Sequence, residues 1–362
     1  MTVTHGGDIY TPRYETGRDV LDFSANISPL GTPAGVIAAI RDEASRLDRY
    51  PDPYCRELRG ALSRRHRIAP EHIVCGNGAS DLIYRLVQWR KPREALLPSP
   101  GFSEYGKALE ESGCTVRRYP LKEPDFQLDE PFLSHIRKGT DMLFLCNPNN
   151  PTGLTVPPGL LREIILRCAA CGALLVADEC FNEFLDDPAL HTVEGALREF
   201  PGLCILKAFT KLYGLAGLRL GYLLCGDTAH AEGAARTGQA WPVSAAAQSA
   251  GVAALEERGY AEAVRRLIRA ERETMKAGLQ GAGLEVLSGE ANYLFVKIPA
   301  SSGFDRQNFF KNLRDAGFLA RNCADYPGLD NTYCRLAVRK PEENRMLLEA
   351  LRRMRNVQAG SR

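Results

Sequence analysis

The chain has 362 residues, of which 44% are hydrophobic and 25% charged, and its net charge is +2. This length exceeds what one hydrophobic core usually supports, and the near balance of charges removes the electrostatic reason to expect nucleic-acid or membrane partners. Eleven scattered cysteines, with no signal-like or membrane-spanning apolar segment in view, lead us to expect a cytoplasmic protein with free thiols.

Short apolar segments alternate with helix-like stretches through the first two thirds of the chain. They occupy residues 73–75, 95–97, 142–146, 173–177, 203–206 and 220–224. Uniformly apolar strands separated by amphipathic helices predict a mainly parallel sheet covered on both faces, which is an α/β fold.

The pattern changes after about residue 245. Residues 245–281 have a helical pattern, and residues 293–297 and 333–338 alternate as half-exposed strands do. Helices are predicted again over residues 305–316 and 341–355. We therefore predict an N-terminal segment, 1–47, that packs on a small α+β domain, 251–362, with a large domain, 48–250, between them in sequence.

Polar residues follow several of the predicted strands, where ligands of an open parallel sheet bind. Residues 76–81 (GNGASD) lead into a helix whose first N–H groups suit a phosphate, although taken alone the segment is more often a strand-to-helix turn capped by Ser or Asp. Residues 147–153 (NPNNPTG) form a polar loop that two prolines stiffen. Asp178 closes an apolar strand and needs a partner, which is either a protonated pyridine nitrogen or a structural donor.

Lys211 is the candidate nucleophile. It lies among apolar and glycine residues after the strand at 203–206, and desolvation of an ammonium group favours the neutral, nucleophilic amine. Lys207 competes with it, but stands at the end of the strand without the tyrosine, glycines and arginine that follow Lys211. A solvated surface lysine is the alternative for either position.

The segment 147–153, Asp178 with Glu179, and the run from Thr210 to Arg219 together resemble the signature of fold-type-I enzymes that depend on pyridoxal phosphate (PLP). The resemblance implies a large domain with a mainly parallel sheet and a smaller α+β domain. It also implies that Lys211 carries PLP as a Schiff base, that Asp178 pairs with the pyridinium nitrogen, and that Asn150 bonds the phenolic oxygen. The implied contacts of the cofactor phosphate are Gly78, Ala79, Ser80, Thr210 and Arg219.

Two aromatic residues gain a role from the same resemblance. Phe102 falls where the family places a ring that stacks on the cofactor, and an ordinary core phenylalanine is the alternative. Tyr50, in the segment Arg49–Asp52, corresponds to a tyrosine that enters the phosphate site of the neighbouring subunit. The resemblance therefore implies a homodimer with a shared active site.

Further segments narrow the family. Residues 5–7 (HGG), 22–31 (DFSANISPLG), 100–106 (PGFSEYG) and 324–330 (ADYPGLD) are similar to the L-threonine-O-3-phosphate decarboxylases of cobalamin biosynthesis. This implies a phosphorylated amino acid as substrate, whose two anionic groups require several cationic donors. The implied substrate contacts are His5, Gly6, Gly7, Asn26, Asn150, Arg321, Arg335 and Arg339, of which Arg335 and Arg339 share one face of a predicted strand.

Other functions stay open at this point. A histidinol-phosphate aminotransferase would share the cofactor motifs, although Phe181 replaces a tyrosine that many aminotransferases carry and so favours a decarboxylase. L-serine O-phosphate differs from the threonine ester by one methyl group, and a binding protein that kept the fold would have no need of Lys211. Cys168 and Cys171 lack a second pair at zinc spacing, so we expect them to pack in a helix and expect no metal.

Overall fold

The computed structural model describes residues 5–287 and 289–360. Its N-terminal segment contains α1 (Tyr10–Thr16), β1 (Leu21–Asp22) and α2 (Ala34–Glu43). Strand β1 pairs in parallel with Phe318 and Leu319, and the Phe23 carbonyl accepts a hydrogen bond from the Ala337 N–H. The N-terminal segment therefore adds to the C-terminal part of the chain, as a segment packed on the small domain does. None of the described helices combines the length and apolarity needed to cross a membrane.

The large domain contains seven helices and seven strands among the described residues. The helices are α3 (Arg56–His66), α4 (Gly78–Arg90), α5 (Ser103–Glu111), α6 (Pro158–Cys171), α7 (Pro188–His191), α8 (Phe209–Leu212) and α9 (Thr228–Arg236). The strands are β2 (Ile73–Asn77), β3 (Glu94–Ser99), β4 (Thr115–Pro120), β5 (Met142–Cys146), β6 (Leu174–Asp178), β7 (Leu203–Ala208) and β8 (Leu220–Cys225). They form one sheet in the order β2-β8-β7-β6-β5-β3-β4, in which β8 runs antiparallel to both neighbours.

The central strands are apolar except near their carboxyl ends, because both faces of the sheet are covered. Leu143 and Leu145 of β5 face one hydrophobic cluster with α3 and α6, while Phe144 faces the other with α4 and α5. A residue in a pleated strand points to the opposite face from its neighbours, so each strand supplies both clusters. Sequences without polar alternation are the consequence, as the pattern predicts.

The remaining elements belong to the C-terminal part of the chain. They are α10 (Ala245–Glu256), α11 (Tyr260–Gly281), β9 (Glu285–Leu287), β10 (Tyr293–Lys297), α12 (Phe309–Asp315), β11 (Phe318–Leu319), β12 (Arg321–Asn322), β13 (Tyr333–Ala337) and α13 (Pro341–Gly360). A four-stranded antiparallel sheet has the order β12-β13-β10-β9. The helical pattern over residues 245–281 is two helices, because Gly259 between them has a left-handed φ of 74°.

The prediction that β10 and β13 are half-exposed is wrong. Every residue of β13 is buried, and in β10 only Lys297 is partly exposed. One face of these strands packs in the cluster with α11 and α13, whereas Phe295 and Tyr333 on the other face contact Phe126 of the large domain. The alternating residue types of these strands face two different buried surfaces. From sequence alone, this pattern cannot be distinguished from that of a strand with one buried and one solvent-exposed face.

Substitution of Phe295 measures how much this second buried surface contributes to the free energy of unfolding. Its ring stacks on Tyr333 with centroids 5.2 Å apart and meets Phe126 edge-on at 5.6 Å. We expect Phe295→Ala to lower the free energy of unfolding by about 3–5 kcal/mol in urea denaturation, because a large buried ring leaves a cavity. The partly buried Phe310 is the matched control, and Phe310→Ala should cost clearly less; equal losses would contradict this account.

Candidate active site

The carboxyl ends of β5, β6 and β7 open into one cavity of about 330 Å³. It lies where the N-terminal segment, the large domain and the strands of the small domain meet. The predicted site residues that line it are His5, Gly6, Asn26, Ala79, Ser80, Phe102, Asn150, Asp178, Thr210, Lys211, Arg219, Arg321 and Arg335. Those outside its lining are Gly7, Tyr50, Gly78 and Arg339.

The two candidate lysines have opposite environments. The Lys207 ammonium lies 3.1 Å from a Glu179 oxygen and 2.8 Å from a Glu194 oxygen. Burial alone would lower the pKa of Lys207, but these carboxylates outweigh it and raise the pKa well above its usual value. Lys207 is therefore a charged structural residue.

Lys211 lines the cavity at the end of α8, and no carboxylate is paired with it in the described chain. Burial, followed by the positive charges of Arg335 and Arg219, lowers the pKa of Lys211 to about 8. A substantial fraction of the amine is thus neutral near physiological pH, which is the form that attacks a carbonyl. These two environments favour Lys211 over Lys207 as the candidate nucleophile.

Asp178 lies at the end of β6 and is 5% exposed. Its carboxylate accepts a 2.5 Å hydrogen bond from the Tyr105 hydroxyl and a 2.9 Å bond from the Cys180 N–H. Burial raises the pKa of Asp178, and these two donors act against that shift. A cation placed beside the carboxylate would favour its ionised form.

The start of α4 provides a cradle for an anion. Gly78 has a φ of 81°, a left-handed conformation that favours glycine, and a Cβ built there would lie 2.5 Å from the Arg219 guanidinium in its present position. A Cβ on Gly221 would lie 2.6 Å from the Ala79 nitrogen, which shows how closely β8 approaches the same helix end. Arg219 itself has a φ of 58°, a strained conformation for a non-glycine residue and one typical of functional sites.

Asn150 connects the loop after β5 with the small domain. Its Oδ1 accepts a 2.5 Å hydrogen bond from Arg335 and a 3.2 Å bond from the Tyr326 hydroxyl. Because the oxygen accepts both, the amide N–H groups of Asn150 remain as donors at the cavity wall. A second Arg335 N–H donates to the Ser24 carbonyl at 2.7 Å, so this arginine also anchors the N-terminal segment.

Asn26 has an unpaired amide at the cavity. It is 1% exposed, it lines the cavity, and neither its amide nitrogen nor its amide oxygen has a hydrogen-bond partner among the described residues. Leaving a buried amide unpaired costs about 1–3 kcal/mol, so a polar ligand that bonded this amide would remove that cost. The Nε of the neighbouring Arg335 is also buried without a partner.

Arg321 and Arg339 differ in what they reach. Arg321 lines the cavity and makes a two-bond pair with Asp325 at 2.7 and 2.8 Å. Arg339 does not share a strand face with Arg335, because β13 ends at Ala337 and the chain turns into α13. Its guanidinium pairs with Glu343 at 2.9 and 3.0 Å and donates to the Asp22 carbonyl, so it joins α13 to the N-terminal segment instead.

The N-terminal residues and the aromatic candidates complete the site. Phe102 lines the cavity between His5, with centroids 5.8 Å apart, and Tyr105 at 5.4 Å. The Gly7 N–H donates to the Ser24 hydroxyl at 2.8 Å and holds the segment beside the cavity. Tyr50 lies outside, is 80% exposed and stacks on Trp241 at 4.5 Å.

Sequence reasoning assigned no role to several lining residues. Tyr105, Glu104 and Tyr326 all contact predicted site residues, and Cys146 and Cys180 flank Asp178. Glu104 and Tyr105 lie two and three residues after Phe102, in the first turn of α5, so their place in the segment 100–106 was the available signal. No described group of three His, Cys, Asp or Glu side chains is arranged to hold a metal, and the Cys171 thiol donates to the Arg167 carbonyl within α6.

Comparison with known proteins identifies the family of this chain. Residues 18–351 match the family aminotransferase class I and II. The chain belongs to this family. Threonine-phosphate decarboxylase of Salmonella typhimurium is 39% identical over 353 residues, which cover 96% of this chain and 95% of that relative. Histidinol-phosphate aminotransferase of Desulfitobacterium hafniense is 34% identical, over 92% of this chain and 91% of its own.

Solved structures agree with this assignment. The crystal structure of histidinol-phosphate aminotransferase from Clostridium acetobutylicum has a TM-score of 0.86 at 26% identity, covering 93% of this chain and 100% of its own. The predicted fold-type-I architecture and the resemblance to PLP-dependent enzymes are confirmed by these matches. This member of the class I and II aminotransferases is accordingly a PLP-dependent enzyme.

The residues present fit PLP. A lysine of lowered pKa faces the cavity, a buried carboxylate stands at the next strand end, and glycines admit Arg219 to a helix N-terminus. Lys211 would hold the aldehyde carbon, Asp178 the ring nitrogen, and Ala79, Ser80, Thr210 and Arg219 the phosphate. When bound, PLP supplies an electron sink for a carbanion at the substrate Cα.

Attachment of PLP should follow the ionisation of Lys211. We expect the rate of PLP uptake by cofactor-free protein to rise with pH and to level off above about pH 8, because the neutral amine reacts and its pKa is about 8 rather than the usual 10.5. Borohydride reduction and peptide mapping should place the label on Lys211. Lys207→Met should keep that label while lowering the thermal midpoint, since Glu179 and Glu194 lose their cation; a label on Lys207 would contradict the assignment.

Proposed function

We propose that the enzyme decarboxylates L-threonine O-3-phosphate to (R)-1-amino-2-propanol O-2-phosphate and CO₂. The main support for this proposal is the 39% identity with the Salmonella decarboxylase over nearly the whole chain. The cavity agrees with a substrate that has two anionic groups, since it combines Arg321, Arg335 and His5 with the unpaired amide of Asn26. A single anion would not need so many donors.

The side chains divide the substrate between them. We assign the carboxylate to Arg335 and Asn26, which lie together beside Asn150, and the phosphate to Arg321 and His5. When bound, PLP would supply the electron sink, and anchoring of the substrate at two ends by these side chains would decide which bond at Cα is broken, here the bond to the carboxylate. We assign delivery of the proton that replaces CO₂ at Cα to the Lys211 Nζ, because its pKa of about 8 allows proton exchange near neutral pH.

Asp325 sets a condition on phosphate binding. Both oxygens of its carboxylate accept from one nitrogen of Arg321, Nη2, and the guanidinium also lies over the Tyr326 ring at 5.1 Å. The pair aims Arg321 before the substrate arrives, and a phosphate would compete with Asp325 for Nη2. Arginine suits this exchange because its planar fork presents five donors.

Transamination of histidinol phosphate is the second candidate function. The 34% identity with the Desulfitobacterium aminotransferase favours it, and both reactions begin from the same cofactor site. Phe181 argues for decarboxylation, because its ring lines the cavity and packs edge-on against Tyr293 at 5.1 Å without a hydroxyl for the phenolic oxygen of PLP.

Product analysis separates these reactions. We expect the purified enzyme to release CO₂ and the phosphorylated amine from phosphothreonine, and to prefer it over phosphoserine by about tenfold or more, since one methyl group in an apolar pocket contributes ~1–3 kcal/mol. Lys211→Ala is the inactive control. Conversion to the pyridoxamine form with amino donors, reversed by 2-oxoglutarate and without CO₂, would replace the proposal with an aminotransferase.

We also propose a homodimer in which Tyr50 completes the phosphate site of the other subunit. The exposed Tyr50 ring lies on Trp241, which is itself 44% exposed, so an aromatic surface is available for a second copy. The eleven cysteines are all free thiols, which favours a cytoplasmic location, and the proposed product suits cobalamin biosynthesis.

Subunit complementation tests the shared site. Tyr50→Ala and Lys211→Ala should each lose most activity. A refolded mixture of the two should regain about a quarter of the wild-type activity, because half of its dimers are hybrids and each hybrid has one of its two sites intact. Decarboxylation is measured after unfolding and refolding the variants together. No recovery from refolded, correctly dimeric mixtures would mean that Tyr50 acts within its own subunit or not at all.

A further inference from the structure

A chain of three polar side chains runs from the N-terminal segment into the large domain. The His5 Nε2 lies 2.9 Å from one Glu104 oxygen, and the Tyr84 hydroxyl donates to the other at 3.1 Å. The Glu104 side chain is 13% exposed and that of His5 is 42% exposed, and both line the cavity. Glu104 thus places a carboxylate in the wall of a site proposed to receive a phosphate, which calls for an explanation.

The backbone beside His5 is seated on the cavity rim. A Cβ on Gly6 would lie 2.1 Å from the Ser24 carbonyl oxygen, and Gly7 has a φ of 99° and donates to the Ser24 hydroxyl. These two glycines allow the segment to lie directly on Ser24, while the imidazole is packed against Phe102. Contacts with Ser24 therefore fix the position of the backbone. The orientation of the His5 ring, with Nε2 toward the carboxylate, follows from its hydrogen bond with Glu104.

The two ring nitrogens of His5 can bond two different partners. When the ring carries both protons, Nε2–H donates to Glu104 and Nδ1–H is left for an anion. Without Glu104 the ring would be held only by its packing on Phe102, and ordering it further would cost conformational entropy on binding. The Tyr84 hydroxyl in turn holds the carboxylate, and burial, assisted by the charge of Glu104, raises the pKa of Tyr84, so it remains a donor.

We propose that Glu104 is a positioning residue that orients His5 so that its Nδ1 receives the substrate phosphate. The inference rests on the proposed function, because that function assigns the phosphate to His5. It gives Glu104 a role that needs no contact with the substrate. It also accounts for the carboxylate, whose hydrogen-bonding oxygens are turned to His5 and Tyr84.

The test compares binding of inorganic phosphate with turnover, using PLP-loaded enzyme. We expect Glu104→Ala to weaken phosphate binding, measured by calorimetry, and to raise the KM for phosphothreonine, each by about tenfold, as for the loss of one hydrogen bond to a charged group. The kcat should stay within about twofold. Glu104→Gln keeps an oxygen acceptor for Nε2–H and should restore most of the affinity.

A double-variant comparison separates positioning from repulsion. If Glu104 acts through His5, His5→Gln with Glu104→Ala should bind phosphate no more weakly than His5→Gln alone. Tyr119→Phe is the control, because it removes a comparable tyrosine–carboxylate bond, to Asp129, away from the cavity. Tighter phosphate binding in Glu104→Ala, additive losses, or failure of Glu104→Gln to restore binding would overturn the proposal.

The two readouts distinguish this inference from the proposed function. Absence of phosphothreonine turnover in the wild type would refute the function, whereas phosphate binding by the same variants would still decide the role of Glu104. Turnover with a KM that Glu104→Ala leaves unchanged would refute the inference and leave the decarboxylase assignment in place.

Discussion

The burial of an amine beside two arginines is the constraint on which the site depends. Lys211 lies partly buried in α8, directly after β7, and its burial together with the charges of Arg335 and Arg219 makes the neutral form accessible at a pH where an ordinary lysine is fully protonated. Four residues earlier, Lys207 is more deeply buried, at 4% exposed, but it is paired with two carboxylates and stays charged. The same residue type thus has a raised pKa at position 207 and a lowered pKa at position 211, according to its neighbours.

Adjacent parallel strands bring the rest of the cofactor site to this amine. β5, β6 and β7 end at one edge, so the loop with Asn150, the carboxylate of Asp178 and the amine of Lys211 meet there without any long-range adjustment. Tyr105 and Cys180 then supply donors to Asp178, which would otherwise be an unpaired buried charge. Cofactor binding is in this sense a property of the large-domain sheet.

In the proposed function, substrate binding depends instead on the contact between domains. Arg335 comes from β13, and its guanidinium connects Asn150 of the large domain with Ser24 of the N-terminal segment. Asn26 stands beside it with an unpaired amide. Because three parts of the chain must be in place to form this half of the cavity, the choice of substrate and reaction depends on their relative position more than on the cofactor motifs.

The sequence by itself determined the α/β class, the strand ends that carry ligands and the PLP family, because apolar strands and the motifs after them are local in the chain. Only the tertiary structure decided that β10 and β13 are buried on both faces, that the charged Lys207 is paired with Glu179 and Glu194, and that Arg339 pairs with Glu343 while Arg335 lines the cavity. Burial and charge pairing arise between residues far apart in sequence, so periodicity and spacing carry no record of them.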